Sequence, residues 1–344
     1  MENKSDSYDA ILLLSFGGPE GVDDVMPFLE NVLRGKNVPI ERMKEVAHHY
    51  KLFGGISPIN EQNRKLIAAL KDLFEKENFN LPIYRGNRNW HPLLTHTMRE
   101  MKRDGIKRAL AFVTSAYSSY SGCRQYLEDI ERARNEVGED APRVDKIRAY
   151  YNHEGFIKPN IENVKTALEQ IPDERRDKAR IAFTAHSIPS AMAVTCDYQA
   201  QLEEACRLVS EGVGHTKYKL VFQSQSGPPQ QPWLEPDICD YLKELKSKGV
   251  QDVIVHPIGF ISDHLEVVYD LDTIAKKLSE EIGLNMIRVA TVGTHPDFVK
   301  MIYELIQERM TENAERRFLG TRGICPDTCA VDCCAYTPTK PQAR

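Results

Sequence analysis

The sequence has no apolar run of about 18 residues, the length a helix needs to cross a bilayer. It opens on a polar, acidic stretch, Met1 to Ala10, without the basic and apolar segments of a secretory signal. We therefore expect a cytoplasmic protein with no membrane insertion. The formal net charge is only -5 and the pI about 6.1. A dedicated nucleic-acid binder needs a basic surface to meet phosphates, so no nucleic-acid partner is expected. Neither Gly-x-Gly-x-x-Gly nor Gly-Lys-Ser/Thr occurs, which excludes the common phosphate loops. No Gly-x-Ser-x-Gly elbow is present either, so metal or proton chemistry is favoured over covalent catalysis.

What is present describes an ordinary globular chain. Of 344 residues, 41% are hydrophobic and 28% charged, a length and balance that suit two domains. Short apolar runs recur at Ala10–Ser15, Leu81–Arg85, Arg108–Ser115, Lys146–Tyr151, Ile181–His186, Tyr218–Gln223, Val253–Ile258 and 286–291. Stretches with helical spacing of apolar residues separate most of them. Strands alternating with such stretches predict βαβ units and parallel sheets. Both halves of the chain follow this plan. The expectation is an α/β fold of two similar Rossmann-like domains, residues 1–155 and 156–310, facing each other across a cleft. From Gly320 onward periodicity is lost, so residues 311–344 are expected to be a Cys-rich tail that needs outside support.

In open parallel sheets, ligands bind beyond the carboxyl ends of the strands. His186 ends one such run, in Thr-Ala-His-Ser-Ile-Pro. Taken alone it is more often a core histidine than a ligand. Another run ends in Ser262-Asp263-His264, and a helix is predicted over 265–282. On that helix Asp263, Glu266 and Asp270 would share one face. Asp263 and Glu266 could equally form a capping box, which leaves Asp270 unexplained. His186 and Glu266 should then project from one sheet edge as a facing pair, able to take a proton or bind a metal. A carboxylate ladder extended by Asp270 offers a path for a cation or for protons.

Seven motifs in order over roughly residues 8 to 310 give the chain a resemblance to the ferrochelatases. They are Leu-Leu-Leu-Ser-Phe-Gly-Gly-Pro at 12–19, Phe-Gly-Gly-Ile-Ser-Pro-Ile-Asn at 53–60, Gly-Asn-Arg-Asn-Trp at 86–90, Thr-Ala-His-Ser-Ile-Pro at 184–189, Gln-Ser-Gln-Ser-Gly-Pro at 223–228, Pro-Trp-Leu-Glu-Pro at 232–236 and Pro-Ile-Gly-Phe-Ile-Ser-Asp-His-Leu-Glu at 257–266. The resemblance implies insertion of Fe2+ into a porphyrin during heme b biosynthesis, with His186 and Glu266 handling metal and protons. It further implies that Ser57 and Tyr126 contact the porphyrin and that Phe16 faces its other side. Tyr117, Trp233 and Phe260 are further candidates for the aromatic walls. The charged stretch Glu20–Val46, with Lys36 among its cations, looks solvated rather than membrane-seeking. The chain is most similar to the actinobacterial type, which acts on coproporphyrin III. Arg34, Lys51, Arg85, Arg88 and Arg124 are candidate partners for four propionates. Protoporphyrin IX as substrate, a chelatase for cobalt or nickel, and a non-enzymatic heme carrier remain alternatives. Transient contact with upstream and downstream heme-pathway enzymes is also expected.

The tail Cys325-x3-Cys329-x3-Cys333-Cys334 resembles the 2Fe–2S tail of many such enzymes. The resemblance implies Cys123, Cys329, Cys333 and Cys334 as ligands, with Cys325 an alternative to Cys123. A zinc site is the competing reading of any cysteine-rich tail.

Overall fold

The computed structural model describes residues 7–35, 38–227 and 230–336. Lys36, Pro228 of the 223–228 motif, most of the polar N-terminal stretch and the last eight residues lie outside the described residues. Eight strands form two four-stranded parallel sheets. The first holds β1 (Ala10–Ser15), β2 (Ile83–Asn87), β3 (Arg108–Val113) and β4 (Arg143–Lys146) in the order β2-β1-β3-β4. The second holds β5 (Arg180–His186), β6 (Tyr218–Gln223), β7 (Asp252–His256) and β8 (Asn285–Arg288) in the order β6-β5-β7-β8. The α/β expectation holds, and the two sheets repeat one topology. The fourth strand lies ahead of the predicted Lys146–Tyr151 run: it spans Arg143–Lys146 and ends where that run begins. Tyr150 beyond it leaves the sheet, donates its hydroxyl to the Val113 carbonyl and stacks on Phe112.

Parallel strands covered on both faces need apolar residues at every position rather than at alternate ones. Ala-Ile-Leu-Leu-Leu-Ser of β1 is buried throughout. Its alternate side chains serve different cores. Leu12 and Leu14 pack outward with Met98, Met101, Ile130 and Ala133 of helices Leu94–Arg103 and Gln125–Val137. Ile11 and Leu13 point inward. There they join Leu110 and Phe112 of β3, and Ile181, Phe183 and Ile254 of the second sheet, in one buried cluster. Helices Glu154–Leu168, Tyr198–Val213 and Pro296–Met310 contribute to the same cluster. The last of these also packs on helix Ile59–Lys76 of the first half. The two sheets are thus built around shared apolar contacts.

In each sheet the chain order reverses between the first and third strands of its half. Loops leaving such neighbours diverge and open a crevice at the carboxyl edge. The loops after β1, β3, β5 and β7 therefore belong to the two crevices. After both β3 and β7 the chain enters a π-helical turn, Tyr120–Arg124 and Val268–Ala275. The helix predicted over 265–282 is consequently composite: an α turn Leu265–Val267, the π segment, then Lys276–Glu281. Short π insertions are rare and concentrate at functional sites.

One strand-end group lies in the core. His256 at the end of β7 is fully buried, and neither ring nitrogen has a partner among the described residues. Burial, with the Arg288 charge nearby, holds its pKa down to about 3. A folded-state pKa below the unfolded value favours folding while the ring is neutral, and the benefit is lost as pH falls below about 6.5. At pH 5 this costs roughly 2 kcal/mol by linkage. Urea unfolding of His256→Leu should show a shallower loss of stability than the parent between pH 7 and pH 5; parallel pH profiles would refute it.

Candidate active site

The loops after β1, β3, β5 and β7 line one cavity of about 570 Å3 between the sheets. That volume lies in the range of small-molecule and cofactor pockets. Two glycines permit the close packing of its walls. A Cβ on Gly18 would sit 2.6 Å from Ser57 Cβ, so glycine there lets the 53–60 loop close against the β1 loop. A Cβ on Gly259 would sit 2.7 Å from Ala185 Cβ, so the β7 loop can pass against the end of β5. That second approach brings Glu266 to His186.

The His186 ring places Nδ1 2.5 Å from the Ser187 carbonyl oxygen and Nε2 3.5 Å from Glu266 Oε2. A carbonyl only accepts, so Nδ1 carries the hydrogen and the lone pair of the neutral ring lies on Nε2. That lone pair faces a carboxylate oxygen. Two acceptors at this distance need a proton or a cation between them. Ligands ~2.1 Å from one divalent ion and 3.5 Å apart subtend close to a tetrahedral angle. The Tyr198 hydroxyl donates to the His186 carbonyl at 3.0 Å and fixes the end of the strand. Behind Glu266, Asp270 accepts from the Ser224 hydroxyl and from Gln223 Nε2 at 3.4 Å. Burial, reinforced by the Glu266 charge, raises the Asp270 carboxyl to about 6.

Phe16, Ser57, Tyr126, His186 and Glu266 all line the cavity, as do Tyr117 and Phe260. Trp233 is not among the lining residues. It bridges to Pro189, and its indole covers Gly227. Asp263 is a further correction: the capping position belongs to His264, and the Asp263 carboxylate turns away to accept from Arg288 at 2.5 Å. The three-carboxylate face thus reduces to Glu266 and Asp270. Phe28, Tyr50 and His264 also line the cavity. Helical spacing points Phe28 only to a buried face, and Tyr50 closes a charged helix, so neither shows a ligand signal in sequence. His264 stands in the Asp-His-Leu-Glu motif. Burial lowers its pKa.

These features match known proteins. A sequence model of the family described as ferrochelatase matches residues 8–310. The ferrochelatase of Rhodopirellula baltica is 56% identical over 97% of this chain and 95% of its own length. The coproporphyrin III ferrochelatase of Streptomyces coelicolor is 48% identical, covering 98% and 96%, and that of Nocardia farcinica 49% identical, covering 95% and 96%. The chain belongs to the ferrochelatase family. Among solved structures, the cobalt complex of the sirohydrochlorin chelatase from Bacillus subtilis subspecies spizizenii superposes with a TM-score of 0.51 at 11% identity, over 88% of this chain and 96% of that one. At that identity the likeness concerns the chelatase-type fold alone.

Within this ferrochelatase the expected cationic rim is rearranged. Arg88 lines the cavity, but its Nε donates to the buried Asp129, and its guanidinium lies over the rings of Tyr126 (4.6 Å) and Phe16 (5.8 Å). It ties two aromatic walls together instead of presenting a free charge. Arg124 turns to the tail, donating to the carbonyls of Val331 and Cys333. Arg85 donates to the Asn60 carbonyl, and neither it nor Lys51 lines the cavity. Arg34 lines it, as does Arg132, which pairs with Asp129 at 2.6 Å.

The tail is pinned to the body. The fully buried Arg148 pairs with Glu308 at 2.7 Å, Arg316 shares that carboxylate at 2.8 Å, and Arg316 and Arg309 both reach Asp327. Asn152 donates to the carbonyls of Leu319 and Gly323. This path brings Cys329 beside Cys123 and Cys333, and the Cys333 Sγ is 3.6 Å from that of Cys334. Cys123, Cys329 and Cys333 line a hollow of about 280 Å3. Cys325 stands apart, beside Gln201 Nε2 at 3.7 Å. No group of three or more His, Cys, Asp or Glu among the described residues is arranged around a single metal ion.

Asp129 tests the wall assignment. Arg88→Met removes the buried partner of Asp129 and leaves it only the exposed Arg132, and breaking a shielded pair from one side costs up to about 3 kcal/mol. Chemical denaturation should show that loss and recover most of it in Arg88→Met/Asp129→Leu; equal losses in both variants would contradict the pairing.

Proposed function

We propose that the chain inserts Fe2+ into coproporphyrin III, with His186 and Glu266 as the groups at the reacting centre. The observation that carries this reading is the His186–Glu266 pair: a lone pair and a carboxylate oxygen facing each other at 3.5 Å on the wall of an aromatic cavity. The chemistry asks for those groups. A free-base porphyrin holds two pyrrole N–H protons that leave as iron enters. His186 Nε2 accepts the proton on its face of the ring, and the Glu266 carboxylate stands next to receive it or to hand over iron. Asp270, hydrogen-bonded to Gln223 and Ser224, continues the polar path away from the ring. Phe16, Ser57 and Tyr126 hold the macrocycle from the other half of the cavity. Binding strain at the periphery is spent on bending the ring toward its metallation geometry.

Coproporphyrin III is favoured over protoporphyrin IX by the naming of several relatives at 48–49% identity over 95–98% of the chain. Arg34 and Arg132, on the cavity wall, are the cations we assign to the propionates. Residues 1–155 and 156–310 would act as the two lobes and 311–344 as the tail. Eight free thiols suit a reducing cytoplasm. The product is passed on through transient contact with neighbouring enzymes of the pathway.

We assign the tail thiols to a 2Fe–2S cluster, as the likeness of the Cys325–Cys334 spacing to cluster-binding tails suggests. Cys123, Cys329 and Cys333 line one hollow, and Cys334 lies beside Cys333. Cys325 is not needed for that set. When bound, such a cluster supplies one-electron redox chemistry.

Anaerobic insertion assays with both porphyrins test the reaction. Coproporphyrin III should be turned over at least tenfold faster, and His186→Ala should lower kcat by roughly 10²–10⁴-fold while leaving porphyrin binding intact. A preference for protoporphyrin IX defeats the substrate assignment, and undiminished insertion by His186→Ala defeats the site. Protein purified without air should show thiolate-to-iron absorption that vanishes in Cys123→Ala and persists in Cys325→Ala. The reverse pattern would make Cys325 the ligand.

A further inference from the structure

Arg288, at the carboxyl end of β8, does not line the cavity. Its side chain is only 15% exposed, yet it carries a charge that the proposed chemistry does not use. Nη2 donates to Asp263 Oδ1 at 2.5 Å, Nε lies 3.2 Å from Asp272 Oδ1, and Nη1 donates to the Val289 carbonyl at 2.8 Å. The two carboxylates bracket the segment that bears Glu266 and Asp270. Asp263 stands three residues before Glu266, and Asp272 two residues after Asp270. One guanidinium therefore serves both ends of that segment, hydrogen-bonded to Asp263 and ion-paired with Asp272.

The segment needs such a grip. It passes from an α turn, Leu265–Val267, into π winding over Val268–Ala275. The i→i+5 closure of a π turn is wider than an α turn and brings residues four apart closer to one line. Glu266 and Asp270 are spaced by four. Ordinary α winding keeps residues four apart on one face but offset by about 40° around the axis, so relaxation would shift Asp270 around the helix relative to Glu266 without parting the two faces. The start of the segment is held from the other half of the molecule as well, because the Asp263 backbone N–H donates to Gln62 Oε1 at 2.9 Å. Removing the guanidinium would leave Asp263 and Asp272 as two partly buried carboxylates without their shared counter-charge, and both ends would loosen together.

We propose that Arg288 is a positioning residue for the metal: by clamping Asp263 and Asp272 it maintains the winding that aligns Glu266 with Asp270. This rests on the preceding reading of those two carboxylates as metal- and proton-handling groups. Lysine is no substitute, since an ammonium lacks the planar fork that meets two carboxylates at once.

The test is anaerobic iron insertion into coproporphyrin III, varying each substrate in turn, with porphyrin affinity measured separately by fluorescence. Arg288→Met should raise the KM for Fe2+ about tenfold and leave porphyrin affinity within twofold. Arg288→Lys should fall between it and the parent, and it carries the test if Arg288→Met does not fold. A purely structural arginine would move both constants together or neither, and either result overturns the proposal. Glu266→Gln run alongside separates the two layers. Insertion that survives Glu266→Gln removes the reading of Glu266 itself. Insertion lost in Glu266→Gln with an unchanged iron KM in the Arg288 variants removes only the clamp.

Discussion

The constraint on which the rest depends is the apolar cluster shared by the inner faces of the two sheets. Ile11, Leu13 and Phe112 from one sheet and Ile181, Phe183 and Ile254 from the other are buried in the same cluster. Protein interiors are close-packed and resist continuous deformation. With these faces in one core, the carboxyl ends of β1, β3, β5 and β7 hold a fixed relation, and their loops meet in one cavity. The placement of Phe16 and Tyr126 opposite His186 and Glu266 follows from strand order and shared packing. Glycine at 18 and 259 then lets the walls close to the distances observed.

On that frame the polar groups divide into those with spare bonding capacity and those without. Arg88 and Arg148 have their charges taken up by the carboxylates of Asp129 and Glu308. Arg124 is turned to tail carbonyls. His186 differs: its Nδ1 is committed to a backbone carbonyl, and its Nε2 faces another acceptor. An arrangement of two facing acceptors is mutually repulsive. It gains from an arriving proton or cation, which is the logic of a site that handles both. The tail is tied to the loop after β3 through Cys123 and Arg124, so the proposed cluster and the porphyrin wall share one short segment.

Much of this was legible in the sequence, for physical reasons. Strands buried on both faces give near-continuous apolar runs, so β1, β5 and β7 are plain to see. Seven of the eight predicted cavity residues line the cavity, and all but Ser57, on the loop before helix Ile59–Lys76, do so because they follow strand ends, where the topology places ligands. Trp233 escapes because its indole packs over Gly227 and its backbone bridges to Pro189, and neither contact has a periodic signature. Of the rim cations Arg34 stays on the cavity wall, whereas Arg88 and Arg124 take other partners, because charge in a loop does not reveal which acceptor will meet it. Asp129 lies some forty residues from Arg88, and the tail carbonyls over two hundred from Arg124. The π winding was also hidden, since helical spacing fits α and π turns almost equally over a few residues.

The account's central claim is that His186 and Glu266 share a cation on the cavity wall. Crystals soaked in Co2+ and measured at the cobalt absorption edge test it most directly. An anomalous peak is expected ~2.1 Å from His186 Nε2 and from a Glu266 carboxylate oxygen, lost in His186→Ala. A peak bound only elsewhere, with the pair left empty at saturating metal, would contradict it.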